Sequence, residues 1–362
     1  MKKTIVIFSN PFGYGPTGKS IALADALLEL GLKNIILAGS VFIHEIVPDH
    51  IKYIKIDERN ENEIRNLLRG INNPLVISSQ NRFSVKVAHS LKIPSAFVDG
   101  LAWFWKKIPS DHLIADEIFW LRYPGIENKV PFGYRNIHIV PAAINIKSKK
   151  VKRDQILIHL GGCMNPITDI FPSFYLDMII DALPQITNGQ KIKITGGSQA
   201  MLYLRSKILT SDIELISLKH DQFIDELNRS AHFITTAGQT ATLEAFALNV
   251  PTSFLLPMNL SQMALANILS EVNAAPQNLR WEDYLDIKED LTLLTEKEAI
   301  IKFEVLAASI KNDTSSAIRL RGDIKKIINN VPSINEQKKF IEYVGTDGAV
   351  KIIKILINKW NL

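Results

Sequence analysis

Apolar positions in this chain fall into short unbroken runs, separated by longer stretches where apolar residues recur every three or four positions. An unbroken apolar run leaves no polar face, so it predicts a strand covered on both sides, as in a parallel sheet. Lys3 to Phe8 is the first such run, and Asn34 to Ala38, Leu75 to Ser78 and Ala96 to Val98 continue the series. Between the first two, Ile21, Leu23, Ala24, Leu27 and Leu28 mark a helix from about Lys19 to Leu30, closed by Gly31. The stretch AAINIKSKKVKRDQ is polar and basic, and a new series begins after it: Ile156 to Ile158, Lys191 to Thr195, Glu214 to Ser217, Phe233 to Thr235 and Ser253 to Leu256. Helical patterns over Asp221 to Ser230 and Ala241 to Leu248 separate the later strands. Strands alternating with helices predict an α/β protein with two doubly wound parallel sheets. The expected domains are 1–150 and 151–345, with a final helix in 346–362 packing back on the first domain.

The segment AHFITTAGQTATLEAFALNVPTSFLLPMNLSQMALAN, from Ala231 to Asn267, carries the most chemistry. It reads strand, small-residue turn, helix, tight turn, strand, which is one βαβ unit. Its first turn, Thr236, Ala237, Gly238, Gln239 and Thr240, stands at the carboxyl end of a strand and the amino end of a helix. The first amides of a helix have no intrahelical acceptor and share the positive end of the dipole, so the place suits a phosphate. Gly238 permits close approach, Thr240 adds a hydroxyl, and Glu244 can accept two hydrogen bonds from a sugar diol. The rival reading is an ordinary βαβ turn with a solvated glutamate.

Composition narrows the class. The 362 residues suit two domains. At 46% hydrophobic and 22% charged, the chain is globular. The first apolar run is too short for a signal-peptide core, and no stretch approaches the roughly twenty apolar residues of a membrane span. The single cysteine, Cys163, excludes an intrachain disulfide and a cysteine-rich zinc site. These features predict a cytoplasmic protein. A net charge of +5 allows peripheral contact with an anionic membrane surface. The basic residues are dispersed without a nucleic-acid motif, so no nucleic-acid partner is expected.

Other motifs compete for attention. Gly13 to Ser20 fits G-x-x-x-x-G-K-[ST], a phosphate-binding loop of nucleotide hydrolases. Four residues separate its first glycine from the strand, Pro16 removes an amide, and no strand ending in a magnesium-binding aspartate follows. The alternative is a glycine loop lying close to a substrate. Asp99 and Gly100 end a strand, with Trp103, Phe104 and Trp105 next, where aromatics can line an acceptor pocket or pack a core. Asp99 is the best-placed general base of this half, or else a turn-forming residue. His44, His89, His112 and His138 lack metal-ligand spacing and read as surface or core residues. Cys163 lies in the turn Gly161-Gly162-Cys163-Met164-Asn165-Pro166, without a nearby histidine, and reads as a packing residue.

On three of these segments the chain resembles the GT-B glycosyltransferases, in particular the bacterial peptidoglycan-precursor N-acetylglucosaminyltransferase and related natural-product enzymes. GYGPTGKSIALADALLELG is similar to their N-terminal glycine loop, ILIHLGGCMNP to the loop opening their nucleotide-binding domain, and TTAGQTATLEAFALNVPTSFLLPMNLSQMALAN to their donor-binding segment. The resemblance implies two Rossmann-like domains facing across a cleft, acceptor on the first and donor on the second. Thr236, Ala237, Gly238, Gln239 and Thr240 would then hold the diphosphate and Glu244 the ribose. Gln262, supported by Asn267, would hold the transferred sugar, and Gly161, Gly162 and Asn165 would face the phosphates or the acceptor across the cleft. Gly13, Gly15, Thr17, Trp103 and Trp105 would lie on the acceptor side. Asn249 replaces the family's glycine before the proline turn, a mild change because Asn tolerates positive φ. The histidine that many members carry in the N-terminal loop is missing from Gly15-Pro16-Thr17, which leaves Asp99 or a substrate group as the base. The expected function is transfer of a sugar from a UDP or dTDP donor to a small-molecule or lipid-linked acceptor, inverting, with no bound metal or permanent cofactor. A nucleotide-sugar hydrolase or a non-catalytic sugar-nucleotide-binding protein on the same scaffold are the alternatives.

Overall fold

The computed structural model describes residues 3–165, 167–183, 191–208 and 213–362, so Pro166 of the glycine turn lies outside the described residues. The chain divides into two units, Met1–Ile146 with Ile341–Leu362, and Lys147–Phe340.

In the first unit the strands are β1 (Thr4–Ser9), β2 (Ile35–Gly39), β3 (Tyr53–Lys55), β4 (Pro74–Ser79), β5 (Ser95–Asp99), β6 (Glu117–Leu121) and β7 (Ile137–Val140). The helices among them are α1 (Gly15–Glu29), α2 (Val41–His44), α3 (Glu61–Arg69) and α4 (Arg82–Ser90). Among the described residues these strands form one sheet in the order β3-β2-β1-β4-β5-β6-β7, every pair parallel. Side chains alternate across it. Ile5 and Ile7 join α1 on one face, while Val6 and Phe8 join Ile64, Leu68, Val87 and Ala88 on the other. The apolar runs are unbroken because both faces are covered. Asn60 and Asn81 fix the starts of α3 and α4 by accepting amide hydrogen bonds of the first turn.

The second unit holds β8 (Gln155–His159), β9 (Ile192–Thr195), β10 (Ile213–Ile216), β11 (Ser230–Thr235) and β12 (Thr252–Phe254). Its helices are α5 (Ser173–Ala182), α6 (Ser198–Arg205), α7 (His220–Asn228), α8 (Gln239–Ala247), α9 (Leu260–Glu271), α10 (Glu296–Asn312) and α11 (Thr314–Asn329). The strands pair in parallel in the order β10-β9-β8-β11-β12. Strand order reverses between β8 and β11, and the carboxyl ends of two such strands frame the crevice where open α/β sheets take ligands. In the first unit the same reversal falls between β1 and β4.

The division between units falls inside α12 (Asn335–Val344), and α13 (Gly348–Trp360) belongs to the first unit. Ala349, Ile352, Ile353, Leu356 and Trp360 of α13 complete the core built by α1 and β1. Gly348 sits so close to the Pro141 and Ala142 carbonyls that any Cβ there would collide with them.

One difference from the sequence reading has a local cause. Helix α1 begins at Gly15 rather than near Lys19, because Pro16 is preset for a first helical turn. This disposes of the phosphate-loop geometry: Gly18 N–H bonds Tyr14 O, Ser20 Oγ–H bonds Pro16 O, and Lys19 is buried, so the motif is helix rather than cradle.

Candidate functional site

Thr235 of β11 lies opposite His159 of β8, so pairing places the Gly161 turn beside the turn from Thr236 to Gly238. Gly161 has φ +69° and Cys163 φ +49°, which lets the chain double back after β8. Gly161 O accepts from Gly197 N–H, tying this turn to the start of α6. Gly162 is buried, and Asn165 Oδ1 accepts the Ile167 amide at 2.9 Å. Burial pushes the Cys163 thiol up to about 12, which leaves it inert as a nucleophile at neutral pH.

Helix α8 starts at Gln239 with Gly238 as N-cap and no side-chain cap. Its first intrahelical bond runs from Thr242 N–H to Gly238 O, so the helix supplies no acceptor for the amides of Gln239, Thr240 and Ala241. Gly238 itself has an ordinary φ of −73°, and a Cβ there would meet only Thr236 O at 3.8 Å. Nothing near its Cα within the protein demands glycine. One expectation is corrected: the Gly238 amide bonds Thr236 O, so it is turned away from any phosphate. Thr236, Ala237 and Thr240 are nearly buried, while Gly238 and Gln239 are partly exposed.

Glu244 is held from one side. His220 Nε2, at the start of α7, lies 2.7 Å from Glu244 Oε1. The other oxygen, Oε2, has no partner among the described residues, yet it is not among the unpaired polar atoms sealed from solvent. Glu244 is 1% exposed, so the side chain is held in one place with a single oxygen left to accept. His159 stands behind this pair with Nδ1 sealed and unpaired. Burial, then the charge of His220, lowers its pKa to about 4. Gln262 folds back on its own loop: Oε1 accepts from Met258 N–H at 2.7 Å, which leaves the Nε2 end to donate outward. Asn267, on the same helix, is exposed.

In the first unit Asp99 requires a second correction. It is fully buried, accepting from Leu101 N–H at 2.8 Å and Trp105 Nε1–H at 3.1 Å, with His112 Nδ1 at 3.0 Å. Leu101 takes Oδ1, and Trp105 and His112 take Oδ2, so this buried carboxylate is spent on the protein and orients His112. Phe97 packs against the His112 ring at 4.8 Å and Trp105 edges it at 5.7 Å. His112 Nε2 has no partner among the described residues, and the side chain is 10% exposed. Sequence reasoning passed over this pair. No spacing signal joins His112 to Asp99, or His220 to Glu244; each pair exists only in the fold.

The acceptor-side expectations divide. Gly13, at φ +59°, and Gly15 are partly exposed at the start of α1. Thr17 is buried with Oγ1 at 3.1 Å from Ser9 Oγ, so its side chain faces the sheet and not a ligand. Trp103 is also a core residue, stacked on Tyr123 at 5.0 Å and donating to Gly100 O. Trp105 is half-buried and spends its N–H on Asp99. Among the described residues no group of three or more His, Cys, Asp or Glu side chains is placed to hold a metal ion. No helix among them is long and apolar enough to cross a membrane.

No model of a known protein family matches the chain, and no curated protein matches its sequence. Solved structures match over nearly its whole length. MurG of Acinetobacter baumannii aligns with a TM-score of 0.52 at 13% identity, covering 99% of this chain and 100% of its own. Os79 from O. sativa, solved in complex with UDP, gives 0.56 at 11% identity, covering 99% and 100%. A protein assigned as a UDP-N-acetylglucosamine 2-epimerase, from Listeria monocytogenes, gives 0.55 at 15% identity, covering 99% and 97%. The chain has the GT-B fold. In a GT-B chain this far from its neighbours in sequence, activity has to be argued from side chains.

Proposed function

We propose that the protein is a GT-B glycosyltransferase that moves a sugar from a UDP or dTDP donor to a small-molecule or lipid-linked acceptor, without a bound metal and with inversion. The observation that carries this reading is Glu244, almost fully buried, with Oε1 fixed by His220 and Oε2 without a partner among the described residues, in the helix whose amino end carries no side-chain cap. The carboxylate would take the ribose diol and the helix terminus the diphosphate. Gln262 Nε2 would donate to the transferred sugar, and Gly161, Gly162 and Asn165 would line the phosphates. UDP in the Os79 structure supports the choice of nucleotide.

The acceptor would sit on the first unit, near Gly13 and Gly15. In the transfer the acceptor oxygen bonds the anomeric carbon and loses its proton, and within the first unit His112 Nε2, with Asp99 holding Nδ1, is the group suited to take a hydroxyl proton. The anomeric carbon–oxygen bond breaks, its electron pair leaves on the diphosphate, and the positive end of α8 stabilises that charge without moving.

Calorimetric titration with UDP and dTDP tests the donor half, and weakened binding in Glu244→Ala is the expected result; unchanged binding rejects it. A second reading is a nucleotide-sugar epimerase, favoured by the Listeria structure, which is as similar as Os79. Chromatography after incubating a UDP-sugar alone separates the readings. A new epimer marks an epimerase and free sugar plus UDP a hydrolase. An unchanged donor that is consumed only with acceptor marks a transferase, and binding without turnover marks a non-catalytic protein.

A further inference from the structure

Residues 255–262 follow β12 as the turn from Thr236 to Gly238 follows β11. Phe254 pairs with Thr235, so both segments leave one edge of the parallel sheet. Gln262 is fixed by its own loop, with Oε1 accepting Met258 N–H at 2.7 Å. Asn259, the N-cap of α9, is fixed in the same way: Oδ1 accepts Gln262 N–H and the Ser261 hydroxyl, each at 2.9 Å. A backbone N–H can only donate, so both amides are oriented without ambiguity, the oxygen spent on the loop and the –NH2 left over. Asn259 Nδ2 and Gln262 Nε2 have no partner among the described residues, and both residues are partly exposed.

The same loop is poor in acceptors. Leu256 O accepts the Tyr175 hydroxyl, Pro257 O the Trp281 indole N–H and Asn259 O the Met263 amide. Residues 256–267 contain no Asp or Glu. Glu296 is turned onto the Leu260 amide with Oε1 sealed, and burial pushes it up to about 7, which removes much of its charge. The side-chain acceptors with room left, Ser261 Oγ and the second lone pair of Gln262 Oε1, are neutral. A neutral hexose must find an acceptor for the proton of every hydroxyl it buries, and an unmet proton is costly. A carboxylate has no proton to place, takes several N–H bonds that its charge strengthens, and gains from the positive end of α9. Resting on the glycosyltransferase reading above, we infer that the transferred sugar carries a carboxylate held by Asn259 Nδ2 and Gln262 Nε2, so that the donor is a nucleotide-linked uronic acid.

The test is calorimetric titration of the full chain with UDP, UDP-glucose and UDP-glucuronate, or with the dTDP series should dTDP be the nucleotide that binds. UDP-glucuronate is expected to bind about tenfold to a hundredfold more tightly than UDP-glucose, the range of a hydrogen bond to a charged group. Asn259→Asp and Gln262→Glu are isosteric. Each keeps the bond to a backbone amide and replaces only the spare –NH2 by an anionic oxygen, so the melting temperature should hold. Each should remove most of the preference for the uronate while changing UDP affinity far less. UDP-glucose bound as tightly as UDP-glucuronate overturns the proposal, and so does a preference that survives both substitutions. An equal loss of UDP and UDP-glucuronate in the variants also overturns it, because the amides would then face the diphosphate. Failure of UDP and dTDP to bind the wild-type protein removes the glycosyltransferase reading itself, and the uronate with it.

Discussion

His220 Nε2 and Glu244 Oε1 meet at 2.7 Å, with both side chains almost withdrawn from solvent. The pair links the start of α7 to the interior of α8 and decides which carboxylate oxygen is left for a ligand. Glu244→Ala is expected to weaken UDP binding by about tenfold to a hundredfold, the range for a hydrogen bond to a charged group. His220→Ala should weaken it less but also lower stability by about 1–3 kcal/mol, because it strands a buried oxygen. Isothermal calorimetry and urea unfolding on the same samples measure both, and a Glu244→Ala protein that binds UDP like wild type would refute the assignment.

His112 and Asp99 should behave as one unit. His112→Gln is expected to lower kcat by about 10²–10⁴ while leaving the donor KM nearly unchanged. Asp99→Asn should lower kcat as well, through loss of orientation, and the double variant should lose little beyond the His112 variant. Additive losses in steady-state kinetics would mean that the two act separately.

His232 is fully buried, with Nε2 at 2.8 Å from Ser253 Oγ. Ser253 gives its own proton to Gln277 Oε1, so His232 Nε2 is the donor and Nδ1 stays bare, sealed and unpaired. Burial lowers its pKa to about 4, against 6.5 for an ordinary histidine. The unfolded chain therefore binds the proton first. Stability from this group is complete above pH 6.5 and is lost as pH falls towards 4, by up to about 3 kcal/mol. Urea unfolding at a series of pH values should show this slope, and His232→Gln should flatten it; an unchanged slope would exclude His232 as its source.

Glu296 has the opposite sign. It accepts the Leu260 amide at the start of α9, but its Oε1 is sealed without a partner. Burial raises its pKa from 4.5 to about 7. Here the folded state keeps the proton longer, so the favourable contribution is present below pH 4.5 and is lost as pH rises through 7, again by up to about 3 kcal/mol. Glu296→Gln should be more stable than wild type at pH 8 and indistinguishable from it at pH 4, read as the difference in denaturation midpoints.

The fold class was legible because the strands that build both switch points, β1, β4, β8 and β11, are apolar enough to read alone. The strands that escaped notice, β3, β6 and β7, fail that test for physical reasons. β3 is a short edge strand of partly exposed residues. Strand β6 opens with Glu117, a poor strand residue until His138 of β7 at 2.7 Å and Lys359 of α13 at 3.1 Å neutralise it. His138 in turn stacks on Phe119, so two unpromising residues become compatible only side by side. At the candidate site the backbone features could be read: the turn after β11, the glycine turn after β8, and Asn249, which holds φ +54° where glycine was expected. The histidines could not. His112 and His220 gain meaning from carboxylates met across the fold, and Asp99 and Thr17 lose their proposed contacts because both point inward.

The helix that seats Gly348 against Pro141 lies roughly 320 residues beyond α1, yet the two share one apolar seam. Contacts separated so far along a chain close late, because the intervening loop must first lose its freedom. Ile21 and Leu27 therefore keep a bare flank in any folding intermediate that lacks α13. Cutting α13 away would injure α1 and β1, and would leave that flank a client for chaperones.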